Sequence, residues 1–354
     1  MNKKLAIILI NYKDYAKKYL DDCLLGVRKQ DFLGEINLYI TDNETSDESF
    51  NYLEEKAPEA KIIRNKNNDG FAKGNNDAIE EAFRDNCDYI FLLNMDTIIE
   101  ETTVSEMVRV ADNQESIGAV QARLMLYPAK NKINSLGNKT HFLGFGFCEG
   151  YNETYDSAGV VDKAEIFYPS GAAVLFKRNV LEKVGLFDES YFMYNEDQDL
   201  GWRIWLAGYK CVLAKNSIVY HKYEFSRSIS KYYFMDRNRI ITTLKNYKIF
   251  TLVLFLPAFL VMEFGLFYFS LKNGWAKDKI KIWLNFLNPF FWYRIYLGRK
   301  KVREFRKIKD RDLMFLISGK ISYQEISGSL LSLANFFLNI YFIFAKFLIR
   351  LFNV

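Results

Sequence analysis

Between Leu5 and Leu93 the chain alternates short, β-rich apolar runs with amphipathic stretches, and few architectures accept that alternation. Leu5–Ile10 reads as a strand and Tyr15–Lys29 as a helix. Ile36–Ile40 and Asp47–Lys56 repeat the pair. Ile62-Ile63 opens a third strand, Ala72–Arg84 a third helix, and Tyr89–Leu93 a fourth strand. Strands of this length separated by helices of ten to fifteen residues indicate βαβ units and a mainly parallel sheet flanked by helices, an α/β fold. Ligands of such sheets bind at the carboxyl ends of the strands, so the loops that follow them are where chemistry is expected. Residues 120–175 are less regular, with strand-like pieces at His141–Cys148 and Ser170–Phe176. A helix is expected over Glu196–Ala207, then strands near Cys211–Ala214 and Ile218–His221.

Composition narrows the class. Of 354 residues, 50% are hydrophobic and 26% charged, which excludes a disordered or low-complexity chain. Cys23, Cys87, Cys148 and Cys211 form no Cys-x-x-Cys pair, so a disulfide framework or structural zinc site is not expected and a reducing compartment fits. The apolar run Leu5–Ile10 is too short for a secretion signal and no small-residue cleavage site follows; it reads as a buried strand, and a cytoplasmic protein is expected. Two regions result: an α/β domain over 1–225, and a helical, aromatic and basic region over 226–354.

Four loops carry polar chemistry. Thr41-Asp42-Asn43-Glu44-Thr45-Ser46-Asp47 follows the second strand; a carboxylate there can hold a ribose or base, although Ser46 or Asp47 also suits a helix N-cap. Asn67–Asn76 carries Gly70 and Gly74 in a polar loop opening a helix, where backbone N–H groups can approach a phosphate or sugar. Asn94-Met95-Asp96 ends the fourth strand, where hard oxygen ligands suit Mg²⁺ or Mn²⁺ on a diphosphate. Finally, Glu196-Asp197-Gln198-Asp199 opens a helix among aromatics. Acids at a helix start serve its dipole, yet apolar walls raise a carboxylate's pKa as a general base requires. His221 closes a strand 24 residues after Asp197 and could be a metal ligand.

In order and spacing, these loops resemble an inverting family 2 glycosyltransferase of the GT-A fold, over residues 4–222. Gly185-Leu186-Phe187-Asp188-Glu189 leading to Glu-Asp-x-Asp-Leu is most similar to the rhamnosyltransferase-like branch. The resemblance implies that Asp42 holds the nucleoside of an activated sugar and that Gly70, Gly74 and Asn76 line the donor pocket, with Asn11, Asn43 and Asn94 in the same set. It implies Asp96 and His221 as ligands of a divalent metal (Mg²⁺ or Mn²⁺) on the diphosphate. Asn94 replaces the first carboxylate of the family's Asp-x-Asp motif, which leaves those two to hold the cation with the diphosphate itself. Asp197, with Glu196 beside it, is implied as the base that deprotonates the acceptor. Asp199, Arg203 and Gly171 stand as further site candidates. The donor expected first is dTDP-rhamnose and second a UDP-hexose; the acceptor is a lipid-linked saccharide of cell-surface glycan assembly. The rival expectation is a catalytically silent glycan-binding or scaffold protein on the same fold.

Past residue 225 the composition changes. Ile249–Leu271 has one charge, Glu263, and one proline, Pro257. Residues 271–311 hold 13 Lys+Arg against 3 Asp+Glu. The whole chain is only +5, so the basic excess is local. In Leu330–Phe352 the polar residues Ser332, Asn335, Asn339, Lys346 and Arg350 draw one stripe down an apolar helix. A single span of 249–271 would start the basic segment outside the membrane, against the positive-inside tendency. Helices lying in the cytoplasmic interface of the inner membrane face are therefore expected. The length of 249–271 also permits a span, as a hairpin, and packing against another subunit is a further alternative; a nucleic acid is not expected as partner.

Overall fold

The computed structural model of the chain describes residues 3–223, 232–322 and 329–354; the expected boundary at 225/226 lies outside them. The chain divides into two compact units. One comprises Met1–Asn138, Cys148–Ile204 and Tyr209–Tyr223, the other Lys139–Phe147, Trp205–Gly208 and Glu224–Val354.

The first unit opens with β1 (Lys4–Tyr12), α1 (Tyr15–Val27), β2 (Glu35–Asn43), α2 (Asp47–Lys56), β3 (Lys61–Asn65), α3 (Gly70–Arg84) and β4 (Tyr89–Leu93). It continues with β5 (Thr97–Ile99), α4 (Thr103–Asp112), β6 (Ile117–Leu126) and β7 (Ile133–Ser135). After the short strands β8 (Asn138–His141) and β9 (Gly146–Cys148) come β10 (Ala173–Lys177), α5 (Arg178–Val184), α6 (Glu196–Leu206) and β11 (Lys210–His221). The main sheet runs β3-β2-β1-β4-β10-β6-β11-β5, with β7 on β6. Strands β3, β2, β1, β4, β6 and β11 are parallel, while β10, β5 and β7 run against them. This is the mixed, mainly parallel α/β sheet expected. The two strands expected near Cys211 and Ile218 form one strand, with a register shift between Ala214 and Ile218.

Burial explains the pattern. Leu5 through Leu9 of β1 and all five residues of β4 are buried, as strands covered on both faces must be. Helix α1 buries Ala16, Tyr19, Leu20, Cys23, Leu24 and Val27, one face at helical spacing. The Ser46 side chain accepts from Ser49 N at 3.1 Å and caps α2, so the capping reading of that loop holds beside whatever Asp42 does. Parallel register then puts Asn11 opposite Asp42 at the ends of β1 and β2. The ends of β4 and β11 fall on the same edge.

The second unit contains α7 (Tyr232–Asn246), α8 (Ile249–Lys272), α9 (Ala276–Asn285), α10 (Pro289–Phe305), α11 (Asp310–Leu313), β12 (Ile317–Ser318) and α12 (Ser329–Leu351). Strands β12, β8 and β9 form a small sheet. Phe142 packs on Phe255 of α8 and Phe342 of α12, with ring centroids 4.9 and 5.2 Å away.

Candidate active site

At the carboxyl edge, Asp42 is fully buried. Its Oδ1 accepts from Asn11 Nδ2 at 2.7 Å and its Oδ2 from Thr45 Oγ1 at 2.5 Å. Asn11 is held in turn, its Oδ1 accepting from Ala16 N at the start of α1. Asn43, the next residue, donates to Gly70 O at 3.3 Å and accepts from Asn65, tying β2 to the start of α3. Gly70 has φ +85°, and a Cβ there would lie 2.4 Å from Phe192 O. It thus lets the opening of α3 touch the segment that precedes the acidic helix, where Ala72 N donates to Phe192 O at 3.2 Å.

Asp96 follows β4 and is buried, as is His221 at the end of β11. Antiparallel pairing of β11 with β5 sets His221 against Thr97, and Lys222 N donates to Asp96 O at 2.9 Å. The two side chains meet: His221 Nε2 lies 3.3 Å from Asp96 Oδ1. That nitrogen is buried and makes no hydrogen bond of proper geometry, while Nδ1 faces Asn134 Oδ1 at 3.0 Å. With Nδ1 turned to Asn134, Nε2 is the ring nitrogen that faces Asp96.

The acidic helix completes the edge. Asp197 Oδ1 accepts from Gln198 N at 2.7 Å and Oδ2 from Gly171 N at 3.3 Å. Ala172 O accepts from Asn94 N at 2.9 Å. A short covalent and hydrogen-bonded path therefore joins the Asn94–Asp96 turn to Asp197. Asp197 stays partly open to solvent, yet desolvation pushes its pKa up to about 6 against the pull of its backbone donors. Glu196 is more deeply buried, and its Oε2 has no partner. Burial first, and the neighbouring Asp197 charge second, hold Glu196 well above the usual carboxylate range. Phe192, Tyr194 and Asn195 all have φ between 65 and 68°, strained backbone that packs against α3 and sets the entry to α6.

Several expected site residues make bonds within the scaffold. Asp199 is fully buried and pairs with Arg203 Nε at 2.9 Å; Arg203 also donates to the carbonyls of Val184, Gly185 and Leu186. Its fork is consumed by the turn after α5. Asn76 spends its amide on Phe187 O and Glu189 Oε1, and its Oδ1 on Phe187 N, bracing the same region. Gly74 lies where α3 crosses the sheet: a Cβ would meet Asn43 Nδ2 at 2.9 Å, and Thr41 Oγ1 donates to Gly74 O. It permits helix–sheet contact. Gly171 stays with the site through its N–H, and a Cβ there would strike the Phe71 ring at 2.9 Å. Asn134 and Thr45 were not anticipated. Asn134 lies in the irregular part of the sequence and carries no local signal.

Residues 3–243 match the glycosyltransferase-like family 2 profile. The chain belongs to that family. Its fold is GT-A, as similarity to solved structures also shows. Staphylococcus aureus TarS 1-349 in complex with UDP is 15% identical with a TM-score of 0.52, over 98% of this chain and 91% of that one. GalNAc-T7 with UDP, GalNAc and Mn²⁺ is 12% identical with a TM-score of 0.52, over 68% of this chain and 47% of that one. Among curated proteins, a 52-residue stretch is 46% identical to the N-acetylglucosaminyl-diphospho-decaprenol L-rhamnosyltransferase of Mycobacterium tuberculosis. That stretch is 15% of this glycosyltransferase and 17% of the relative.

Proposed function

We propose that this family 2 glycosyltransferase moves a sugar from a nucleotide-diphosphate donor to a hydroxyl of a lipid-linked saccharide, with inversion at the anomeric carbon. The observation that carries the reading is the path from Asp96 through Asn94, Ala172 and Gly171 to Asp197, which puts a cation-type pair and a base on one sheet edge. Asn11 and Thr45 hold Asp42 in place to receive the nucleoside. dTDP-rhamnose is the first donor, supported by the match to a rhamnosyltransferase, and a UDP-hexose the second, supported by the solved relative bound to UDP.

The residues fit a divalent cation. Ligand atoms of Mg²⁺ or Mn²⁺ at about 2.1 Å in octahedral geometry stand about 3 Å apart. Asp96 Oδ1 and His221 Nε2 are separated by 3.3 Å, and Nε2 lacks any other partner. Among the described residues no group of three or more His, Cys, Asp or Glu side chains gathers to hold a metal, so the remaining ligands are the donor's phosphates and water. Such a cation, when bound, neutralises charge on the departing diphosphate. Asp197 takes the proton from the acceptor hydroxyl as its oxygen bonds to the anomeric carbon and the bond to the diphosphate breaks. No protein nucleophile intervenes, so one displacement inverts the centre.

The membrane-facing side of the reading places the enzyme at the inner face of the cell membrane, near a lipid-linked acceptor. Two apolar helices, α8 and α12, and the basic segment between them support this. Asp197→Asn tests the whole: transfer is abolished while the thermal shift from nucleotide sugar with Mn²⁺ persists. Near-normal turnover in that variant removes the mechanism. A panel of nucleotide sugars in the same assay identifies the donor.

A further inference from the structure

Helix α12 buries a mixed face and exposes aromatic rings. The middle of its polar stripe turns inward while Ser332 and Arg350 at its ends stay exposed: Asn335 Oδ1 accepts from Ile321 N and its Nδ2 donates to Ile321 O, both at 2.8 Å. Lys346 Nζ donates to Met314 O at 2.9 Å. A Cβ on Gly319 would stand 2.7 Å from Asn339 Oδ1, so that amide also faces the 314–321 segment. Leu338, Phe342, Ala345 and Ile349 are buried, but Phe336, Phe337, Phe344 and Phe347 are each 58–61% exposed. Helix α8 does the same, exposing Val253, Leu260, Val261, Phe264 and Leu271. A continuous outward apolar surface on two packed helices needs an apolar medium or partner to cover it.

Length alone would let α8 cross a bilayer, since 24 residues rise about 36 Å. Its buried Glu263 forbids that course. Glu263 lies about 21 Å from the start of the helix, which is mid-bilayer depth in a span. There it is bonded to Arg239 Nη2 at 2.5 Å, Lys279 Nζ at 2.7 Å and Trp283 Nε1 at 2.8 Å. Asp236 joins the same two cations at 2.6 Å. A crossing α8 would carry this four-charge cluster, and with it α7 and α9, into the hydrocarbon. Helix α9 has ten residues and exposes Lys277, Asp278 and Lys281, too short and too charged to follow.

We infer that α8 and α12 form a monotopic platform whose outward faces enter one leaflet of an anionic lipid bilayer without crossing it. The Asp236–Arg239–Glu263–Lys279 cluster acts as the latch that holds α8 flat. Charge selects the occupant. Lys272, Lys277, Lys281, Arg294, Lys300, Lys301, Arg303 and Lys307 are exposed in this region, against the exposed acids Asp278 and Glu304. Two copies of the chain meeting on this face would oppose like charge to like, whereas acidic headgroups complement it. Exposed Trp292, Tyr293 and Tyr296 on α10 are side chains suited to the headgroup boundary. The platform stands whether or not the chain transfers sugars.

Sedimentation of the full chain with phosphatidylcholine vesicles, with and without phosphatidylglycerol, tests it. Binding is expected to the anionic vesicles, and Phe337→Glu with Phe344→Glu abolishes it; both positions are exposed, so the variant stays folded. Lys300→Glu with Lys301→Glu weakens binding about ten-fold or more. In sealed vesicles, Lys248→Cys and Asn273→Cys, at the two ends of α8, both react with an impermeant maleimide added outside. Protection of one end means a span and overturns the inference. So does failure to bind either vesicle, including the case in which Phe337→Glu with Phe344→Glu breaks a self-associated form instead.

Discussion

His221 Nε2 stands 3.3 Å from Asp96 Oδ1, two buried groups brought together from positions 125 residues apart in the chain. Asn134 Oδ1, at 3.0 Å from Nδ1, fixes which ring nitrogen faces the carboxylate. Side chains that orient a metal-ligating histidine in this way are typically worth about 10–100-fold in metal affinity. Asn134→Ala is therefore expected to weaken Mn²⁺ binding by that factor, with transfer recovering as Mn²⁺ is raised. Titrating the metal at saturating donor checks it; unchanged metal dependence disconnects Asn134 from the site.

With Asp197 as the proposed base, its ionisation sets the pH dependence. Burial raises its pKa to about 6, and only the ionised form accepts a proton. Transfer at saturating substrate should thus rise as pH increases through about 6 and level off above it. A rate independent of pH from 5 to 8 would mean that this carboxylate is not the base.

Glu196 behaves differently, although it is adjacent. Burial first, and the neighbouring Asp197 charge second, hold its pKa well above the normal range and favour its neutral form. Glu196→Gln keeps shape and neutrality, so transfer and its pH midpoint should change little, whereas Asp197→Asn loses transfer. A large shift of the midpoint in Glu196→Gln would show that Glu196 carries charge in the working enzyme.

Much of this arrangement could be read from the letters, for a physical reason. Local periodicity reports burial, so β1 through β4 and the helices between them were legible, as were Asp42 and Asp96 at strand ends. The polar stripe on α12 was also visible, but not that Asn335, Asn339 and Lys346 turn inward while Ser332 and Arg350 stay exposed, because periodicity says which face differs and not what each face meets. Non-local pairings left no trace. The insertion of β10 between β4 and β6, which delivers Gly171 N–H to Asp197, depends on contacts between distant segments. Asn134 owes its place to β7 pairing on β6. Asp199, Arg203 and Asn76 carry the same polar letters as the proposed ligands; burial and bonding partners are what mark them as braces.

The brace has a measurable cost of removal. Arg203→Ala would remove the cation paired with buried Asp199 and the donors to three carbonyls. Breaking a buried pair on one side costs about 3–5 kcal/mol. At ~2–4 °C per kcal/mol for a domain of this size, the melting temperature should fall by about 10 °C. Arg203→Lys should recover little, since one ammonium cannot bond a carboxylate and three carbonyls in a planar fork. Thermal melts of both variants decide it, and a fall below about 2 °C would contradict the brace.

Gly70→Ala probes the join between the donor loop and the acidic helix. The position needs φ +85°, and the added carbon would sit 2.4 Å from Phe192 O and 2.6 Å from its ring. Neither a carbonyl nor a ring wedged against α3 yields cheaply, so the 192–195 turn must move or α3 must unwind at its start. A loss of about 1–3 kcal/mol in stability is expected from the strain. Because the displaced turn leads directly into Glu196 and Asp197, kcat should fall more than donor affinity does. Gly171→Ala makes a useful contrast, as its added carbon meets only the edge of the Phe71 ring at 2.9 Å and the backbone needs no left-handed conformation. It should be milder in stability. Comparing melting temperature, donor-induced shift and turnover across the two variants separates a backbone requirement from simple crowding, and equal effects in all three would refute the role given to Gly70.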